Sequence, residues 1–458
     1  MLLLVLSLSC DGDKPHDTPS DDSVVPGVHL ELPMELAAIG ELAALATVEP
    51  PEDGRLWVEL RSDDVDAQRT IPVDVVAGTV EIEVLGMRAE HDYDLVPVLE
   101  LADGSRVEGD TQVFTTGAAT APVVEATASG STTGITLVAP APKGKQEVLE
   151  GAYLVGLDSD GQVVWEYTPE ALDRAEKDRF VDVVGDELIV FTGDVETVSR
   201  RGELLSLVAA PIRMHHEAVR LSDGNTLGLL GDTREIYVER FGGVVTVTGD
   251  AIVEVDPEGE IVWEWNTFDH LDTERYPGGL SQVLGKGDIY SWTHANSLQL
   301  LEDETVILVS LRHQNQILAI DRATGDLLWT VGEEGDFELS AGDWFSSQHA
   351  ARLDGDRLLL VDNGNDAGKR TRVVEYALDI EAKTAEISWT WDLGWSLLSM
   401  GEADRLPNGN VLVTAGGDRA DEQVAQVLEI DPDGQEVWGV ELPVDKFVYR
   451  SERVYWLE

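Results

Sequence analysis

Cysteine is almost absent from this chain, and Cys10 is the only one. An intrachain disulfide is therefore excluded, and with it redox chemistry on a thiol pair. Positive charge is scarce as well. Lys and Arg number 32 against 88 Asp and Glu, giving a formal net charge of −56. No basic stripe can balance a phosphate backbone in such a chain, which excludes nucleic acid as a partner. Adhesion to anionic lipid by surface charge alone is excluded on the same ground. An anionic substrate, repelled by the mean surface, needs a local patch of donors to bind. Helical stretches of convincing length are missing from residues 26–117. Core material is not: 43% of the residues are hydrophobic, and there are twelve tryptophans.

The one apolar run at the start, MLLLVLSLSC, ends at Cys10 and is too short to span a bilayer. The polar tether DGDKPHDTPSDDS follows. Together they resemble a bacterial lipoprotein signal, with Ser9 before the cysteine and Ser7 where leucine is usual. That reading assigns residues 1–25 to a signal and acidic tether, expects a lipid anchor at Cys10, and places the protein in the periplasm or at the cell surface. Residues 26–117 then read as short alternating strands (RLWVELRS, TVEIEVLGM, YDLVPVLEL), as in a small N-terminal β-sandwich. Residues 118–130 form the expected linker.

From residue 131 to 458 a phrase repeats: an apolar strand, an Asp-led turn (with Gly in all copies but the fourth), and a strand carrying Trp. It appears as YLVGLDSDGQVVWEY, AIVEVDPEGEIVWEW, QILAIDRATGDLLWTVG, RVVEYALDIEAKTAEISWTW and QVLEIDPDGQEVWGVEL, marked by Trp165, Trp263, Trp329, Trp391 and Trp438. D-G and N-G pairs supply the hairpin turns because those residues tolerate positive φ. The widest gap fits two units, with a degenerate copy near 202–207. The expected architecture is all-β: a six-bladed β-propeller preceded by the sandwich. A β-helix or stacked sandwiches are the alternatives.

Six of the nine histidines fall between His215 and His349. His216, His294 and His349 stand at equivalent strand starts in three repeats, so a propeller brings them to one channel. Strand alternation puts His294 and Asn296 on one face, sets His215 on the opposite face from His216, and leaves His313 behind the site. Asp362 and Asn363 end the strand that returns from His349 and either orient it or cap a turn, the cap being the preferred reading. Three histidines can suggest zinc, but the companions here are Asn296 and Arg312, and a guanidinium beside a cation is costly. No metal and no cofactor are expected. Imidazole, amide and guanidinium donors instead make a cup for a tetrahedral oxyanion, phosphoryl or sulfuryl.

The motifs MHHEAVRL (214–221), WTHANS (292–297), SLRHQNQILAID (310–321), SSQHAARL (346–353) and VDNGN (361–365) resemble the bacterial arylsulfate sulfotransferase family that does not use phosphoadenosine sulfate. The resemblance covers most of residues 26–458. The step of eighteen residues from His294 to Arg312 follows the family's own spacing. The resemblance implies a β-sandwich followed by a six-bladed propeller, with His349 as covalent nucleophile and His216, His294, Asn296 and Arg312 as sulfuryl-binding donors. The chain departs from the best-known members in lacking a cysteine pair and in showing no counterpart of their aryl-pocket tyrosines.

The implied activity moves a sulfuryl group from a small aryl sulfate donor to a phenolic acceptor by a ping-pong cycle through a sulfohistidine. Arg312 neutralises the non-bridging oxygens with His294 and Asn296, and His216 protonates the leaving oxygen or deprotonates the acceptor. Two other readings stay open at this stage: a cell-surface or periplasmic propeller that binds a ligand or protein without catalysis, and an aryl sulfate hydrolase using the same pocket.

Overall fold

The computed structural model describes residues 30–121, 126–143, 153–170, 179–208, 214–277, 281–282, 289–365, 370–417 and 423–458. The expected signal, tether and Cys10 lie outside the described residues. What is described is built almost wholly from β-strands. Among the described residues the one α-helix is a single turn, Thr267–His270. Among the described residues no helix is long and apolar enough to cross a membrane.

Near the N-terminus, Met34–Gly40, Ala43–Val48 and Val80–Val84 form a three-stranded sheet. A second sheet is centred on Gly54–Ser62 and Asp92–Leu101. Alternation in the sequence decides what lies between them. Ala44, Ala46, Val48, Ile82 and Val84 of one sheet share a buried cluster with Leu56, Val58, Leu60, Tyr93 and Leu95 of the other. Trp57, at the intervening position of its strand, packs on the opposite face with Val96 and Val98.

Six sheets follow among the described residues, each with a core of four antiparallel strands; the third, fifth and sixth carry further edge strands. The first joins Ser451–Val454, Ile135–Val138, Leu154–Leu157 and Val163–Tyr167. Phe180–Val184 opens the second, Ala218–Arg220 the third, Ala295–Leu301 the fourth, His349–Asp354 the fifth and Glu402–Arg405 the sixth. In the third sheet one hairpin is unusually long, with strands Thr226–Val238 and Gly243–Val255. Thr127–Gly130, within the stretch expected as linker, is a strand on the outer edge of the sixth sheet.

The repeated acidic turns have one shared geometry. Asp158, Asp256 and Asp431 each accept from the backbone N–H four residues on, at Gln162, Glu260 and Gln435. The glycine inside each turn takes a positive φ (77° at Gly161, 91° at Gly259, 83° at Gly434) that a β-carbon would strain. On the strand beyond, a bulge sets a tryptophan opposite the third strand: Trp165 faces Gly156, Trp263 faces Glu254, Trp329 faces Ala319 and Trp438 faces Glu429. In the fifth sheet this place belongs to Trp389, opposite Glu375, and not to Trp391 as the repeat suggested. The two lie on one face two residues apart, so alternation alone cannot separate them. The degenerate copy is the second sheet, where Ser206 faces Thr197.

Outer-strand indoles tie neighbouring sheets together. Trp165 Nε1 donates to Arg200 O (2.8 Å), Trp265 to Gly325 O (2.9 Å), Trp389 to Pro432 O (3.1 Å) and Trp438 to Ser159 O (2.8 Å). The last of these runs from the sixth sheet to the first. Hydrophobic clusters follow the same succession. Leu227 and Leu298 share one between the third and fourth sheets, Leu308 and Leu360 one between the fourth and fifth, and Val427 and Val155 one between the sixth and first.

Candidate active site

The histidines stand at or just before the opening strands of three sheets, and backbone irregularity aims them. His216 and His294 have φ of 61° and 52°, and Ala350, next to His349, has φ of 49°. Left-handed backbone costs a non-glycine residue about 1–2 kcal/mol, so its recurrence at three strand starts shows that the surrounding fold imposes it. Bulges follow at once, between Ala295 and Ser297 and between His349 and Arg352. A bulge turns side chains that simple alternation would send elsewhere.

The rings gather in one cluster. His216 and His294 lie 5.1 Å apart between centroids, His294 and His313 4.6 Å, and His215 and His216 5.0 Å. Arg312 joins them through strand register. Ala295 pairs with Leu311 across the hairpin, so the residues just beyond face each other, and Arg312 N donates to His294 O at 3.1 Å. The eighteen-residue step is the length of that hairpin. The guanidinium is held on both sides: Nη1 lies 2.6 Å from His313 Nε2, and Nη2 donates to Leu398 O at 3.0 Å. His313 lies in the short 3-10 turn Arg312–Gln314, where strand alternation does not apply, and its ring touches both Arg312 and His294.

His349 is the most constrained member. Asn363 Nδ2 donates to Leu397 O (2.9 Å) and Met400 O (3.1 Å), which fixes the amide so that Oδ1 faces the imidazole. His349 Nδ1–H then donates to Asn363 Oδ1 at 2.7 Å, leaving the lone pair on Nε2. Met400 N–H donates to that lone pair at 3.2 Å. Burial drives the His349 imidazole well below the usual histidine range. Arg312 pushes the same way, the bond to Asn363 opposes, and His216 and Arg450 add to the lowering. His294 is lowered in the same manner, first by burial and then by His313, His216, Arg312 and His349. Both rings are neutral at neutral pH.

Three sequence expectations need correction. Asn363 does not cap the turn; it orients His349, while Asp362 accepts from Ser346 N (2.9 Å) and Gly364 N (3.0 Å) and pairs with Arg372. Asn296 lies deeper than its neighbour: its Nδ2 donates to Gln348 O at 2.7 Å and the residue is fully buried, because the bulge at 295–297 breaks the alternation with His294. His215 is not on the far face. Its Nδ1 is 2.8 Å from His216 Nδ1 and its Nε2 is 3.2 Å from Asp250 Oδ1. The pair precedes its strand, so a strand period does not apply.

Other residues at the site left no mark in the sequence. Burial would raise the Asp250 carboxyl, but bonds from His215, Thr293 Oγ1 and Ala295 N outweigh it and hold the group below its ordinary value. Beneath the rings, Arg450 donates to both oxygens of buried Glu217 (2.8 and 2.7 Å) and to Asn296 O (2.9 Å). Tyr449 lies 5.9 Å from His216 between ring centroids. Among the described residues no group of three or more His, Cys, Asp or Glu is placed to hold a metal ion.

A cluster of imidazoles around one guanidinium suits a tetrahedral anion. The arylsulfotransferase (ASST) family model matches residues 120–450, which includes all five expected site residues. The chain belongs to that family and is a transferase of the arylsulfotransferase kind. No curated protein matches it significantly. Solved structures resemble it weakly. An auxiliary nutrient binding protein from Bacteroides ovatus has 10% identity and a TM-score of 0.35, over 90% of this chain and 85% of that one. The Dos1 propeller has 11% and 0.32, over 71% and 87%. Hsv2 from Kluyveromyces lactis has 10% and 0.29, over 92% and 99%. Likenesses at this level carry no argument about the chemistry.

Proposed function

We propose that this chain transfers a sulfuryl group from an aryl sulfate ester to a phenolic acceptor in a ping-pong cycle, with His349 as the covalent carrier. The observation that carries the reading is the state of His349: neutral, locked with its proton on Nδ1 by Asn363, and within the field of Arg312 and His216. A neutral imidazole with a directed Nε2 lone pair is a competent nucleophile. Nε2 attacks sulfur, the sulfur–oxygen bond to the aryl group breaks, and phenolate leaves with the electron pair. Arg312 and the neighbouring imidazoles offset the charge on the non-bridging oxygens, a preorganised contribution that is often the largest in catalysis. His216, backed by His215 and Asp250, is placed to take the acceptor's proton in the second half-reaction. Asn296 supports the nucleophile through the Gln348 backbone.

In the same reading, residues 26–117 are a β-sandwich and the six sheets that follow, with Thr127–Gly130 as an edge strand of the sixth, close into a six-bladed propeller. The indole bond from Trp438 to Ser159 and the pairing of Ser451–Val454 with Ile135–Val138 support closure. The apolar run and tether before residue 26 support a periplasmic or cell-surface location, anchored at Cys10.

The test is covalent. Incubation with 4-nitrophenyl sulfate is expected to add the mass of one sulfuryl group to the peptide bearing His349, and His349→Ala is expected to abolish both the adduct and transfer to phenol. Normal transfer by His349→Ala overturns the reading.

A further inference from the structure

The segment 397–400 is tied to the catalytic groups at almost every peptide. Leu397 N donates to Thr371 Oγ1 (2.7 Å), and Leu397 O and Met400 O both accept from Asn363 Nδ2. Leu398 O accepts from Arg312 Nη2 (3.0 Å) and from Asn365 Nδ2 (2.5 Å). Met400 ends the segment with φ of 70°, followed by Gly401 at 109°. Left-handed backbone at a buried methionine is costly, and here it serves to turn one N–H onto His349 Nε2 at 3.2 Å.

That bond has a consequence for the reaction. The atom that accepts from Met400 is the atom assigned to attack sulfur. We propose that the Met400 backbone N–H is an oxyanion donor held in reserve: it rests on the Nε2 lone pair of His349 and passes to a sulfuryl oxygen when that lone pair becomes the nitrogen–sulfur bond. The inference rests on His349 being the carrier.

The electrons balance as follows. The Nε2 lone pair forms the N–S bond while the S–O bond to the aryl group breaks, and its pair leaves on the phenolate. Nδ1 keeps its proton, still donated to Asn363 Oδ1, so the ring carries a positive charge against the negative sulfuryl oxygens. Nε2 can then accept no hydrogen bond. The Met400 N–H would be a buried orphan donor, a costly state, unless it finds a new acceptor. The sulfuryl oxygens surround the sulfur bonded to Nε2 and are the nearest anionic acceptors. Arg312, held two residues upstream at Leu398 O, approaches the same group. The donor therefore strengthens its interaction only as charge develops, which is the condition for lowering the barrier instead of merely binding the substrate. In the second half-reaction the acceptor oxygen takes the sulfuryl group and the N–H returns to Nε2.

The experiment removes the N–H alone. Met400 is replaced by its α-hydroxy acid in the full chain, turning the amide into an ester, and sulfation of His349 by 4-nitrophenyl sulfate is followed by rapid quench and mass spectrometry. The expected result is a rate of adduct formation lower by about a hundredfold, the size seen for loss of one oxyanion donor, with little change in donor affinity. Sulfation at the wild-type rate or faster overturns the proposal. Should the ester chain fail to fold, wild-type protein labelled with 15N-methionine decides. Five methionines give a small spectrum, and the Met400 amide signal, assigned by its loss in Met400→Leu, is expected to move when His349 is sulfated. An unmoved signal in quantitatively sulfated protein refutes the reserve donor and leaves the carrier intact. No mass increment at His349 refutes the carrier, and the reserve donor with it.

Discussion

Replacing Asn363 by alanine removes three hydrogen bonds around His349, the proposed carrier: one accepted from His349 Nδ1–H and two donated to Leu397 O and Met400 O. The kinetic cost has two parts. Without Oδ1 the imidazole is free to carry its proton on Nε2, and a hydrogen bond worth about 1 kcal/mol corresponds to roughly a fivefold loss of the reactive tautomer. Without Nδ2 the 397–400 segment loses its brace. Leu397 O keeps only a long contact to Thr371 Oγ1 at 3.4 Å. Misplacement by about 1 Å can cost on the order of a hundredfold. The sulfation rate is therefore expected to fall by about 10²- to 10³-fold. Donor affinity should change far less, since Arg312, His216 and His294 are untouched. Folding stability should fall by about 2–4 kcal/mol, because buried groups lose their partners. The assay is the single-turnover burst of nitrophenolate, with urea unfolding alongside to separate rate from stability. Asn363→Asp keeps the acceptor and adds a charge favouring the cationic ring, so it should recover part of the rate. Asn363→Ala transferring at the wild-type rate would refute the orienting role.

Two more outcomes follow from buried charge. His349 and His294 are both held well below the ordinary value of 6.5, so the acid limb of kcat/KM should lie below that pH; a limb at or above it contradicts the neutral-nucleophile argument. The same groups withdraw stability as pH falls through 6.5, because the unfolded chain takes up protons that the folded site refuses. Arg179, just before the second sheet, is 1% exposed, and none of its guanidinium nitrogens has a partner among the described residues. Replacing an uncompensated buried charge by an apolar side chain of similar length is expected to stabilise, so Arg179→Met should raise unfolding free energy by about 1–4 kcal/mol. A destabilised Arg179→Met protein sinks that expectation.

Repeats and turn chemistry were legible because they are local. The Asp-led turns, their glycines and the period of the tryptophans all act within one hairpin, and the structure follows them except for the choice between Trp391 and Trp389. The histidines at strand starts were legible for the same reason, and Arg312 because a hairpin converts its spacing into proximity. What escaped was made by irregular backbone or by distant segments. Bulges at 295–297 and after His349 cancel the alternation that grouped His294 with Asn296. Left-handed φ at His216 puts His215 beside its neighbour instead of opposite it. Met400 reaches His349 from 51 positions away. Nothing in its own surroundings marks it, since a backbone N–H has no residue signature.

The strand Ser451–Val454 completes the sheet that Ile135–Val138 begins, and beyond it Glu458 exchanges backbone hydrogen bonds with Arg69 of the N-terminal sheets (3.0 and 2.8 Å). Arg450, immediately before that strand, supports the floor of the site through Glu217 and Asn296 O. One short strand thus holds three parts of the molecule together: loosening it would open an edge of the first sheet, free a contact with the N-terminal sheets and withdraw support from the histidine cluster. Damage there, far along the chain from the histidines, is therefore felt at them.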